Sequence, residues 1–81
     1  MNESEVLVMK ELVKVERYGF SEIYEGVVGN SKITCILDDN CVRWSLCRKA
    51  RTIYKQVSRH EFSNDKKELC FKNATRALNR L

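Results

Sequence analysis

From Ser21 to Leu37 the chain alternates in steps of two. Ile23 and Val27 fall on one side and Glu22 and Tyr24 on the other, while Ile33, Cys35 and Leu37 interleave with Lys32, Thr34 and Ile36. That period predicts β-strands. The Gly29-Asn30 pair between the two runs is a hairpin signal, because both residues tolerate the positive φ of tight primed turns. Upstream, residues 6–18 carry Val6, Val8, Val13 and Val15. Their apolar positions scatter around a helical wheel and their side chains are β-branched, so a further strand is expected. Tyr18-Gly19-Phe20 reads as the turn that follows it. The first half thus predicts a three-stranded antiparallel β-meander.

Asp38-Asp39-Asn40 closes the meander and offers residues suited to capping a helix. No glycine or proline interrupts the stretch from there to Phe62, and Val42, Leu46, Ala50, Ile53 and Val57 follow in steps of four, four, three and four. That spacing makes one face of a helix. Val42, Trp44 and Leu46 also alternate cleanly, so the rival is a strand followed by another through Ile53. The rival needs a turn near residues 48–51, where no turn-forming residue stands, and the helix is preferred. A last helix is expected through Leu81, capped by Ser63-Asn64-Asp65, with Glu68 in its first turn matching the dipole. Cys70, Phe71, Ala74, Ala77, Leu78 and Leu81 form its apolar stripe. The expected architecture is α+β, a three-stranded antiparallel β-meander followed by two amphipathic α-helices. Residues 1–81 make one small domain, with an acidic meander over 1–39 and a basic helical half over 40–81.

Size sharpens this picture. A chain of 81 residues buries only about 60–65% of its unfolded surface, and pairing as a homodimer would enlarge its core. No apolar run approaches the ~20 residues of a membrane helix. The start, Asn2-Glu3-Ser4-Glu5, is acidic where a signal peptide is basic, so a cytoplasmic protein with no membrane partner is expected. Cys35, Cys41, Cys47 and Cys70 lack the close pairing of zinc knuckles, and His60 is the one histidine. The thiols are read as reduced, small apolar residues with no metal and no cofactor, a four-cysteine zinc site being the alternative.

Charge changes the picture most. Residues 1–40 hold four Lys/Arg against eight Asp/Glu, a net of −4, and residues 41–81 hold eleven against three, a net of +8. Such division points to a polyanionic partner, nucleic acid (RNA or DNA) first. On the predicted helix over 40–60, Trp44, Arg48, Arg51, Lys55 and Arg59 fall within about 80° of one another, opposite the apolar stripe. Four cations there would span roughly 20 Å, enough for several phosphates, with Trp44 stacking on a base. Lys72, Arg76 and Arg80 recur at every fourth residue of the last helix and extend the field. Charge rows opposite an apolar stripe also keep ordinary helices solvated. A nearly one-signed excess with a tryptophan off the core face is what sets this half apart. The acidic meander, where Tyr24 sits between Glu22 and Glu25, would repel phosphates.

The run Lys66-Lys67-Glu68 through Ala74, Ala77-Leu78 and Leu81 resembles the C-terminal helix of double-stranded RNA-binding domains, over a fifth of the chain. The resemblance implies that Lys66 and Lys67 grip phosphates across a groove. The chain departs from that family in two places. It carries His60-Glu61-Phe62-Ser63-Asn64-Asp65 in place of a glycine-rich turn, and a valine-rich segment in place of a first helix.

Enzyme signatures are lacking. His60 beside Glu61 has no positioned partner or pocket implied by sequence, a turn explains Asp38-Asp39, and neither a phosphate-binding glycine loop nor a nucleophile elbow occurs. The expected function is non-enzymatic binding of RNA or DNA, a regulatory role included, through Trp44, Arg48, Arg51, Lys55, Arg59, Lys66, Lys67, Lys72, Arg76 and Arg80. The alternative is a small protein–protein interaction module, such as a virus-encoded inhibitor or adaptor of a host protein. Its partner would carry an acidic patch or a nucleic-acid-binding groove.

Overall fold

Alternation becomes strands well beyond the first half of the chain. The computed structural model describes residues 9–18 and 21–81. Strands β1 (Val13–Tyr18), β2 (Ser21–Val28), β3 (Ser31–Asp38), β4 (Cys41–Ala50) and β5 (Ile53–Phe62) form one antiparallel sheet in chain order. A single helix, α1 (Lys67–Asn79), packs on one face. β2 and β3 pair without a break from Glu22↔Leu37 to Val28↔Ser31, around Gly29 at φ 59°. Val6, Val8 and residues 2–5 lie outside the described residues, as do Gly19 and Phe20 of the turn expected after Tyr18.

The three-stranded meander with two helices is therefore corrected to five strands and one helix. The stretch predicted as a helix over 40–60 is the β4–β5 hairpin. Its turn is made by Arg51, which takes φ 63°, a left-handed conformation that costs an ordinary residue about 1–2 kcal/mol. Tertiary pairing outweighs that cost. β4 continues the ladder on β3 from Asp38↔Cys41 to Ser31↔Arg48, and the Lys49 amide donates to the Asn30 carbonyl at 2.7 Å, tying the two hairpin tips together. Without β4, the row of backbone groups along the outer edge of β3 would lack partners. The supposed helical stripe also fails as a stripe. Val42 is 2% exposed, but Ile53 is 62% and Val57 55% exposed.

α1 starts later than expected. Lys66 occupies the N-cap position with no side-chain cap, and its amide bonds the Ser63 carbonyl at 2.9 Å, so Ser63-Asn64-Asp65 form the approach and not the cap. The helix runs from the β3–β4 turn, where Lys67 Nζ lies 3.0 Å from Asp39 Oδ1, to the β1–β2 side. There Leu78 lies over Gly26, and the Asn79 carboxamide clamps the Lys10 backbone. It accepts from the Lys10 amide at 2.8 Å and donates to the Lys10 carbonyl at 3.0 Å.

The core lies between α1 and the sheet: Leu12, Ile33, Cys35, Val42, Cys70, Ala74 and Leu78, flanked by Tyr24, Trp44, Leu46, Phe62 and Phe71. Small residues let the helix sit low. Cys35 and Cys70 meet at 4.0 Å between sulfurs, and burial pushes both thiols above their ordinary pKa. Strand alternation sends Cys41 and Cys47 to the opposite face of the sheet, paired with Asp38 and Lys32, so the four thiols do not converge. Among the described residues no group of three or more His, Cys, Asp or Glu could hold a metal ion, and no helix is long and apolar enough to cross a membrane. Both edge strands are bulged, β1 between Lys14 and Glu16 and β5 opposite Leu46 and Cys47. Such irregularity discourages edge-to-edge pairing.

Candidate nucleic-acid interface

Register decides which side chains share a face. Trp44 pairs with Cys35 on one side and His60 on the other, and all three point toward the α1 side because Cys35 is in the core. The Trp44 and His60 rings stack with centroids 4.2 Å apart and planes 22° from parallel. β5 is the last strand of the sheet, so among the described residues no strand flanks the imidazole face turned away from Trp44. Across from the rings, α1 presents Asn73, Arg76 and Ala77, and Arg80 at its C-cap continues the same flank. Together with Phe62 these residues line a groove of about 400 Å³. Arg76 and Arg80 are exposed, one turn apart.

Several local bonds set the groove's chemistry. Asn73 Nδ2 donates to the Leu69 carbonyl at 3.0 Å, which fixes the amide orientation and leaves Oδ1 as an acceptor. Trp44 Nε1 is buried without an acceptor among the described residues, at a cost of about 1–3 kcal/mol. His60 and Glu61 alternate onto opposite faces of β5, and Glu61 Oε2 is engaged by Arg59 Nε at 3.0 Å. They are not an acid–base pair.

The ten side chains singled out from sequence separate into groups. Trp44, Arg76 and Arg80 meet in the groove. Arg48 and Lys55 pair with each other on the same face, nearer the hairpin tip and beyond Leu46↔Ser58. Arg51 sits at the tip itself. Arg59 points to the opposite face. Lys66 stands at the helix start, Lys67 bridges to Asp39, and Lys72 lies 3.7 Å from Glu68. These exposed pairs are weak and leave the cations exchangeable. The single row expected along a helix is thus divided between two sheet faces and a turn. His60, Phe62 and Asn73 were not singled out. The alternation of His60 and Phe62 opposite Trp44 and Val42 is their signal, visible once 40–62 is read as a hairpin.

Meander order also makes the charge division spatial. Neighbours in sequence are neighbours across the sheet, so β1–β3, with three Lys/Arg against four Asp/Glu, lie apart from β4, β5 and α1, with eight against two. No protein-family model, no curated protein and no solved structure matches this chain, so the chemistry of the groove itself carries the functional reading.

Proposed function

We propose that this protein binds nucleic acid, without catalysis, along the α1 side of the β4–β5 hairpin. The observation that carries this reading is the groove in which the stacked Trp44–His60 pair meets Arg76 and Arg80, with Arg48 and Lys55 on the same sheet face nearer the hairpin tip. Phosphates are drawn to the cations and bases to the rings. Arg51 extends the track at the tip, and Lys66, Lys67 and Lys72 widen the field along α1. Contacts of this kind fix orientation more than sequence. Division of labour between His60 and Glu61, which face opposite ways, supports a binding role over an acid–base one.

The test follows the intrinsic fluorescence of Trp44, the one tryptophan, as RNA and DNA oligonucleotides are titrated at several salt concentrations. Four neutralised phosphates predict a log–log salt slope of roughly −3 to −4. Arg76→Glu with Arg80→Glu changes exposed side chains and should abolish the signal while the far-UV spectrum stays native. Silence with every oligonucleotide at low salt, in both fluorescence and gel mobility, refutes the proposal.

One observation favours the second reading, a protein-docking module. The sheet face opposite α1 leaves Val13 and Val27 exposed, on the face where Lys32 lies over the Tyr54 ring at 4.5 Å. Glu substitutions at Val13 and Val27 separate the readings, because they spare oligonucleotide binding and abolish only protein docking.

A further inference from the structure

Resting on the nucleic-acid reading above, we infer that the groove takes an unpaired base. One nucleobase of a single strand stacks on the outer face of His60, its flanking phosphates lie on Arg76 and Arg80, and its edge meets Asn73. The ring geometry leads to this. Trp44 and His60 stand as neighbours on adjacent strands, nearly parallel, and the second of them belongs to the edge strand. His60 is exposed, and a third flat ring can extend that stack from its outer side. Base–aromatic stacking of this kind needs a base free of its own stack. In a duplex the bases are stacked on one another and show only their edges, so a duplex could lay phosphates on the arginines but could not reach the imidazole without flipping a nucleotide out.

The size and walls of the groove agree. A space of about 400 Å³ bounded by Phe62, Asn73, Ala77 and the two arginines suits a base with its sugar. Arg76 and Arg80 stand on the wall opposite the rings, four residues apart, which is about 6 Å along the helix axis. Cations so placed can hold the phosphates either side of a single nucleotide.

Asn73 adds an edge contact. One Nδ2 hydrogen is committed to the Leu69 carbonyl, which leaves Oδ1 as an acceptor and the second Nδ2 hydrogen as a donor. Between them these atoms can meet an exocyclic amino group, a ring N–H or a carbonyl, so the contact serves any unpaired base and selects none.

The experiment compares oligo(A), oligo(U) and a blunt duplex of equal length, bound to the wild-type chain and to His60→Ala, His60→Phe and Asn73→Asp. Single strands should bind about tenfold or more tighter than the duplex. His60→Ala should lose roughly tenfold on single strands and nothing on the duplex, and His60→Phe, which keeps a flat ring, should restore most of that loss. Asn73→Asp brings a negative charge into the groove and should weaken oligo(A) and oligo(U) about equally. Equal or tighter duplex binding overturns the inference, as does His60→Ala binding oligo(A) like the wild type; either result leaves the broader nucleic-acid reading intact if Arg76→Glu/Arg80→Glu still abolishes binding. Binding of none of the three probes overturns both. Should His60→Ala fail to fold, the ratio of single strand to duplex on the wild-type chain still decides.

Discussion

Gly26 is where the helix rests most closely on the sheet, and adding one methyl group there tests how the two are joined. A Cβ at this position would lie 2.6 and 2.8 Å from the Leu78 Cδ atoms and 3.2 Å from Cγ, where ordinary contact begins near 3.4 Å. Leu78 is 1% exposed, so its side chain cannot swing into solvent and must push into Ile33, Cys35 and their neighbours. Overpacking of this kind costs about 1–3 kcal/mol. Replacing a strand glycine by alanine returns roughly 0.5–1 kcal/mol through the unfolded chain. The net expectation for Gly26→Ala is a loss of about 1–2 kcal/mol, at about 4–8 °C in Tm for each kcal/mol in a domain this size. The cause is separable from a general strand effect. Leu78→Ala alone should cost about 2–5 kcal/mol through the cavity it leaves. In that background the methyl group added by Gly26→Ala fills part of the vacated space, and the same substitution should become stabilising. The four proteins of this cycle are compared by urea unfolding, followed by Trp44 fluorescence and by far-UV circular dichroism, with coincident transitions required. If Gly26→Ala has the same sign in both backgrounds, or is neutral in the wild type, the close seat of Leu78 on β2 is wrong.

Two further outcomes follow from the backbone and the core. Arg51→Gly removes a left-handed arginine and should raise stability by roughly 0.5–1 kcal/mol, the relief of strain exceeding the entropy glycine adds to the unfolded chain; a lower Tm would mean that the Arg51 side chain, not the turn, is what matters there. Cys35 and Cys70 should make the fold sensitive to alkali. Burial raises both thiols; for Cys35 the neighbouring Cys70 adds to the effect, whereas for Cys70 the hydrogen bond with Cys35 opposes it without cancelling it. With folded pKa values above the unfolded ones, both thiols are neutral in either state below about pH 8.5 and their contribution is whole. As pH rises further the unfolded chain loses protons that the fold retains, and stability falls, by up to about 1.4 kcal/mol per pH unit for Cys35, with Cys70 acting in the same direction. Unfolding midpoints from about pH 7 to 10 measure this, and Cys35→Ala/Cys70→Ala should flatten the decline; an identical slope in that variant would assign the decline to other groups.

The error over residues 40–60 has a definite physical origin. Val42, Leu46, Ala50, Ile53 and Val57 satisfy a helical period, while Val42, Trp44 and Leu46 satisfy a strand period, and a sequence pattern cannot choose when both fit. Two features that decide it are not local. β3 offers an edge that β4 completes over eight residue pairs, and Arg51 accepts a turn conformation that its residue type does not advertise. The exposed end of the hairpin also misleads, because α1 crosses toward β1 and β2 and leaves Ile53 and Val57 uncovered. Apolar residues there obey no burial pattern at all.

What the chain determined by itself is the part governed by short-range physics. Alternation with Gly29-Asn30 specified the β2–β3 hairpin, the spacing from Cys70 to Leu81 specified the helical stripe whose Cys70, Ala74 and Leu78 are buried, and the charge division was present in the order of residues. The meander keeps the basic side of that division together, because its strands lie side by side in the order they are made. Tertiary structure alone decided which cations stand together. Arg48, Arg51, Lys55 and Arg59 are close in sequence, yet strand alternation and the turn send them three ways. Trp44, His60, Arg76 and Arg80 are as much as thirty-six positions apart and meet because α1 folds back across the strands that hold the rings. A hairpin register and a helix crossing are long-range events, set by which surfaces can be buried together, and no local period encodes them.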